Sequence, residues 1–296
     1  MASTNDGDTQ ATVKTENVGS PANNDGNKVI NTDGEPNVDD IIKVIVDTDI
    51  GTDPDDGLAL AYLALQPRCN LLGVTIVTGD VQQRAAVAQV LLRAMGPKAA
   101  DIPIHCGRRD AILEGEGQKQ CQQYSDIQKE DHVLNRLENT AVDFIRRTIH
   151  ENLNEVVVLT IGPLSNLGLL FALEPEIASA TRDVEWNIAV DRTAAGIVLA
   201  TRRPSHRFVG LDATRQVAWT KEEYLEFEDK VQGELKSVLQ KLSRWWMSIK
   251  PRMTFHDPLA AAAIFEPGLC KWKSGHVAVD PRNAMVTFTE SEGDPI

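Results

Sequence analysis

The chain has 296 residues, 42% hydrophobic and 25% charged, which is enough for one large α/β domain or two modest ones. Its net charge of −13, from 30 basic and 43 acidic residues, excludes a nucleic-acid partner, whose phosphates need a basic face. No apolar run reaches the length of a membrane span, and MASTNDGDTQ has neither the basic start nor the apolar core of a secretory signal.

Those exclusions predict a cytoplasmic protein with no membrane partner. Cys69, Cys106, Cys121 and Cys270 show no short paired spacing, so they read as reduced structural thiols. Residues 1–40 are rich in Asn, Asp, Gly, Thr and Ser and carry almost no aromatic or branched apolar residues. Such a segment cannot bury enough surface to offset its ordering entropy, and it reads as a disordered acidic and polar tail. The folded domain is expected over 41–296.

From Ile41, the run IIKVIVDTDI is a short apolar stretch ending in acids, as a central parallel strand would be. DPDDGLALAYLALQP predicts a capped helix stopped by Pro67. NLLGVTIV is the next strand, VQQRAAVAQVLLRAMG a helix ended at Gly96, and DIPIHC a short strand. After a long polar loop, ENTAVDFIRRTIHENL reads as a helix, NEVVVLTIG as a buried strand and PLSNLGLLFALEPEIASA as a helix. KEEYLEFEDKVQGELKSVLQKLSRWW predicts one long helix, and WKSGHVAVDPRNAMVTF a hairpin turned at Asp280–Asn283. Repeated strand–helix units give an α/β fold: a mostly parallel, Rossmann-like open sheet with helices on both faces.

The most informative stretch is VIVDTDIGTDPDD, with Asp47, Asp49, Asp53, Asp55 and Asp56 at the carboxyl end of the first strand. Ligands of open α/β sheets bind there. Period-two geometry turns Asp47 and Asp49 to one side, while Asp55 and Asp56 open a helix whose dipole favours negative charge. Capping explains one or two acids but not five in ten residues. So many carboxylates repel one another unless a hard cation with oxygen ligands sits among them.

This stretch resembles the DTDPGxDDAxAL signature of the inosine–uridine-preferring nucleoside hydrolases, in a variant with two extra residues before the Asp pair. IGPLSNL (161–167), EWNIAVDRTAAGIVL (185–199), VGLDATRQV (209–217) and FHDPLAAAAIFEP (255–267) resemble further motifs of that family in the right order. The resemblance implies hydrolysis of the N-glycosidic bond of ribonucleosides, of use in nucleoside salvage, with a nucleoside as small-molecule partner and Ca²⁺ as cofactor. It implies that Asp49, Asp56, Asp257 and the Ile161 backbone carbonyl bind calcium, with Asp47 supporting that set from behind. Asp55 would be the general base on the attacking water and His256 a proton donor near the departing base. Glu185 and Asn187 would hold ribose hydroxyls. Asp80, where the family more often has Asn, either contacts the nucleoside or caps the following helix. Of Trp245 and Trp246, at most one faces a base, because adjacent helix residues point in different directions. The family commonly forms dimers or tetramers, so a homo-oligomer is implied as well.

The sequence departs from the family in three places. Between IASAT and EWN only Arg182, Asp183 and Val184 stand where the family has a strand with a Met-Gly-Gly turn, so one family strand is expected to be missing. Either neighbouring elements close that gap or the gene product is incomplete. The loop from Arg108 to Asp131 lacks the family's base-pocket pattern, and the chain is short after the final hairpin. These departures keep open a degenerate member that binds calcium and ligand without turnover. A phosphatase of the haloacid dehalogenase type fits DTDIG superficially. However, Gly51 stands where that family wants Thr or Val, and the Asp55–Asp56 pair has no role there.

Overall fold

A computed structural model describes residues 41–113, 118–180, 182–201, 205–280, 282 and 285–290, without the side chains of 180, 182–187 and 205. The expected tail over 1–40 lies outside the described residues. In chain order the first half contains β1 (Ile42–Thr48), α1 (Asp55–Leu65), β2 (Cys69–Ile76), α2 (Val81–Ala94), α3 (Pro97–Ala100), β3 (Ile104–Cys106), α4 (Tyr124–Ile127) and α5 (Ala141–Glu151). β4 (Val156–Pro163), α6 (Ser165–Leu173), β5 (Arg182–Asn187), α7 (Arg192–Ala200), β6 (Ser205–Phe208) and α8 (Leu211–Thr214) follow. The remainder is β7 (Ala218–Thr220), α9 (Lys221–Lys230), α10 (Gly233–Ile249), β8 (Arg252–Thr254), α11 (His256–Phe265) and the pair β9 (Gly275–Val279) and β10 (Val286–Glu290).

The main sheet runs β3-β2-β1-β4-β5-β6, and every neighbouring pair is parallel. Its strands are nearly continuous apolar runs because both faces are covered. Alternate residues separate the two cores. Val44 and Val46 of β1 pack with α1, α2, α10 and α11, while Ile45 packs with α5, α6 and α7. The α/β class and the open parallel sheet expected from the strand–helix alternation are therefore present. β9 and β10 pair antiparallel, Val279 opposite Val286, as the hairpin reading predicts.

Three local expectations change. The long helix over 221–246 is two helices, because Val231 turns extended and Gly233 takes φ +69°, a conformation that costs glycine little and other residues much. The helix over 163–180 ends at Leu173, and a 3₁₀ turn covers Pro175–Ala180, since a proline disfavours helical backbone in the residue before it. The α1 start has no side-chain cap: Pro54 occupies the cap position, and Asp55 and Asp56 are buried. β5 pairs with β4 from Val157↔Arg182 to Thr160↔Glu185, so the sheet runs on without interruption through the described residues where a family strand is expected to be missing.

The connections from β1 lead outward through β2 to β3, and those from β4 lead the other way through β5 to β6. The order therefore reverses between β1 and β4, and a crevice opens at such a switch point beyond the carboxyl ends of the strands. Asp47 pairs in register with Thr160 there, one residue before Ile161. All four cysteines are unpaired, and no helix among the described residues is long and apolar enough to cross a membrane.

Candidate active site

β1 delivers Asp47 fully buried to the switch point. One of its oxygens, Oδ1, accepts from Thr75 Oγ1 at 2.5 Å and from Asn166 Nδ2 at 2.8 Å. The other, Oδ2, is buried with no hydrogen-bond partner. Burial pushes the Asp47 carboxyl up to about 7, against the two hydrogen bonds that lower it. Asn166, from the IGPLSNL motif, accepts at Oδ1 from the Arg108 backbone N–H at 2.9 Å, so it ties β1, α6 and the loop after β3 together.

The turn after β1 carries the other acids. Carboxylate oxygens of Asp53, Asp55 and Asp56 lie within 4.8 Å of one another. Asp56 accepts from Thr48 Oγ1 at 2.5 Å, and the Asp55 carboxylate accepts from the Asp257 backbone N–H. That last bond joins the first turn of α11 to the first turn of α1, so residues 202 positions apart in the chain meet. Asp49 and Asp257 are not members of the 4.8 Å triad, but both are buried and both repel it electrostatically.

Burial raises every one of these carboxyls. Asp49 rises to about 6, held back by the Arg84 cation, and Asp53 rises for the same reason. Asp55, Asp56 and Asp257 lie well above the usual carboxylate range, through burial first and then repulsion from the neighbouring acids. Burying ionised carboxylates side by side is costly unless a positive charge joins them. The donors are all oxygens, the set a hard divalent cation takes, and the orphaned Asp47 oxygen marks an unmet demand behind them. The residues fit such an ion. Ile161 lies at the end of β4, and the neighbouring Gly162 packs so closely on the Thr48–Asp49 backbone that a Cβ would collide there.

His256 opens α11 half-buried, its Nδ1 2.7 Å from Thr214 Oγ1. Desolvation lowers its pKa, opposed by attraction to Asp53. Asp80 caps α2: its Oδ1 accepts from the Gln82 and Gln83 N–H groups, each at 3.1 Å. It also lines a cavity of about 370 Å³ with Lys119, Gln120, Gln122 and Trp245. Trp246 turns away and packs near Tyr224, Met253 and Phe255. The backbones of Glu185 and Asn187 lie in β5, at the same end of the sheet; their side chains lie outside what is described.

Several residues of the site have no role in the sequence reading. Asp53 belongs to the close triad. Thr48, Thr75 and Asn166 orient Asp56 and Asp47. The buried Asp191 carboxylate accepts from Ser165 Oγ, Ile112 N and Ala194 N, joining α6, α7 and the loop after β3. Only Asp53 carried a signal, as the extra acid in an acidic run. Hydroxyls and amides of this kind are too common in sequence to stand out.

Comparison with known proteins gives the family model "Inosine-uridine preferring nucleoside hydrolase" a match over residues 44–293. The chain is 26% identical over 278 residues to uridine nucleosidase 1 of Arabidopsis thaliana, covering 83% of this chain and 81% of that protein. It is similar in structure to a plant nucleoside hydrolase, with TM-score 0.69, 22% identity, and 86% and 90% of the two chains covered. A purine-preferring ribonucleoside hydrolase from Gardnerella vaginalis gives TM-score 0.66 at 21% identity, over 82% and 87%.

Proposed function

The chain belongs to the inosine-uridine preferring nucleoside hydrolase family, and from that premise we propose that it hydrolyses the N-glycosidic bond of ribonucleosides with a calcium ion in its acidic site. The observation that carries this reading is the meeting of buried carboxylates from the β1–α1 turn with the first turn of α11, at the switch point of the sheet.

In this reading Asp49, Asp56, Asp257 and the Ile161 carbonyl would hold the calcium and Asp47 would support that set, while Asp53 belongs to the same carboxylate cluster as Asp55 and Asp56. When bound, calcium lowers the pKa of a water it holds and neutralises the crowded carboxylates. Asp55 accepts the proton of the attacking water, and its hydrogen bond from the Asp257 N–H fixes its direction. Glu185 and Asn187 bind the ribose hydroxyls, where bonds that strengthen as the sugar becomes oxocarbenium-like lower the barrier. His256 sits beside Asp53 and Thr214 as the group that passes a proton towards the departing base. The Asp55–Asp56 pair and Asp257 have no work to do in a haloacid dehalogenase-type phosphatase, which favours the hydrolase.

The test is ribose release from inosine and uridine with calcium or with chelator. The expected result is calcium-dependent release, abolished by Asp55→Ala with calcium still bound. Calcium and ribose-analogue binding with no release from any nucleoside of a panel would overturn turnover and leave a degenerate binder. The relatives' names divide between uridine and purine preference, so the panel spans both base classes.

A further inference from the structure

Arg84 lies in α2 and is 0% exposed. Its guanidinium donates to main-chain carbonyls of three separate segments. Nε reaches Thr78 O at 2.9 Å, Nη1 reaches Asp49 O and Ile50 O (the latter at 3.1 Å), and Nη2 reaches Gln118 O at 2.8 Å and Gln120 O at 3.2 Å. An arginine cannot shed its proton, so its burial is tolerable only because its donors are engaged. Thr78 itself sits at φ +62°, an unfavourable conformation for a β-branched residue, and the Arg84 bond helps to hold it.

The segment from Gln118 to Gln123 lies along the acidic turn through further bonds. Gln123 N donates to Gly51 O at 2.9 Å, its Nε2 donates to Asp53 O at 2.8 Å and Leu242 O at 3.0 Å, and Thr52 Oγ1 donates to Gln120 O at 3.3 Å. Gly51, at φ +134°, has Cys121 Sγ where a Cβ would stand, so the two segments touch without room for a side chain between them.

We infer that Arg84 is a positioning residue for the metal site: its fork locks the Asp49–Ile50 backbone to the 118–123 strap, and so fixes the direction in which the Asp49 carboxylate is presented. The inference rests on the metal reading given above. Geometry and charge pull in opposite directions here. The cation repels a divalent ion, so removing charge alone would tighten binding. Losing the fork would weaken it, because partners that orient ligands are commonly worth 10–100-fold in affinity. Lysine keeps the charge but, as a point donor on a flexible stem, cannot span five carbonyls.

The test is calorimetric titration of chelator-stripped protein with calcium chloride, for the unmodified chain and Arg84→Lys, with hydrogen exchange of the unmodified chain. Arg84→Lys should weaken calcium binding about tenfold or more. In the unmodified chain, calcium should raise protection in peptides covering 118–126 together with those covering 49–56. Calcium binding by the unmodified chain, with Arg84→Lys within twofold of it or with exchange over 118–126 unmoved, overturns the inference alone. Failure of the unmodified chain to bind calcium overturns the metal reading itself. If circular dichroism shows Arg84→Lys unfolded, the exchange result on the unmodified chain decides.

Discussion

Thr48 Oγ1 donates to Asp56 Oδ1 at 2.5 Å while accepting from the Ile50 N–H at 3.0 Å. One hydroxyl, at the last residue of β1, therefore sets both the rotamer of an acid on α1 and the path of the turn between them. The Asp55–Asp257 bond does the same across the gap to α11. Asp56 and Asp55 are thus each oriented by a hydroxyl or backbone N–H of the chain itself.

Thr48→Val keeps the shape of the side chain and removes its hydroxyl. Calcium affinity is expected to fall about 10–100-fold, as for other partners that orient metal ligands. Folding stability should fall by roughly 1–3 kcal/mol, because the Ile50 N–H loses a buried acceptor. Isothermal titration and thermal melting measure the two separately. An unchanged calcium affinity would mean that Asp56 does not depend on Thr48 for its direction.

The metal-free protein should lose stability as pH rises. Asp47 and Asp49 titrate near 7 and 6 when folded, against an ordinary carboxyl value of 3.8, because burial disfavours their charged forms. The folded state then holds more protons than the unfolded state between pH 4 and 7. Folding is accordingly favoured below that window and weakened through it. Melting in chelator should give a higher midpoint at pH 5 than at pH 8. Calcium, which favours the ionised acids, should reverse the trend. A chelated protein whose midpoint rises from pH 5 to 8 would contradict the burial of these groups.

The strand–helix alternation was readable because β1, β2 and β4 are apolar runs and the helices between them keep a helical period. Contacts across the chain were not readable in the same way. Nothing in VQQRAAVAQVLLRA says that Arg84 turns inward, since a lone arginine on a helix is ordinarily solvated. The place of β5 beside β4 rests on pairing between the two strands, which no local pattern encodes. The helix break between Lys230 and Gly233 rests on an extended Val231 and a left-handed backbone that glycine adopts at little cost, and neither shows in the helical period of the sequence. The acidic run was legible because five carboxylates in ten residues are expensive in any fold; its threonine and asparagine supports were not, because each alone is ordinary.

The two adjacent tryptophans of α10 should separate by readout. Trp245 lines the cavity beside Asp80 and Gln122, whereas Trp246 packs near Tyr224, Met253 and Phe255 and its Nε1 donates to Arg252 O at 3.4 Å. Stacking on a base is worth about 1–3 kcal/mol. With the base stacked on Trp245 in that cavity, Trp245→Ala should lower kcat/KM for nucleosides by roughly 5–150-fold, mainly through KM, with little change in melting. Trp246→Ala should lower stability by about 2 kcal/mol, a partly buried share of the core cost, and leave KM near its starting value. Equal KM effects from both substitutions would place the base elsewhere.

Asp191 stands at 0% exposure where three elements meet. Its Oδ1 caps α7 at Ala194 N, 2.9 Å away, and its Oδ2 accepts from Ser165 Oγ at 2.6 Å and from Ile112 N at 2.8 Å. Asp191→Ala removes an N-cap and two further bonds to a carboxylate, and strands a buried hydroxyl. The expected cost is about 3 kcal/mol, or roughly 6–12 °C of melting temperature for a domain of this size. Asp191→Asn retains an acceptor for the cap while weakening the other two bonds, so its cost should fall between that of the alanine variant and zero. The residue also anchors the segment that follows β5, the strand holding Glu185 and Asn187, which are proposed to bind ribose. If its bonds set that segment, Asp191→Asn should raise KM for nucleosides while calcium affinity stays fixed, because no bond of Asp191 reaches the acids of the β1–α1 turn. A loss of calcium affinity equal to the loss of substrate affinity would show instead that the whole switch-point crevice moves as one unit.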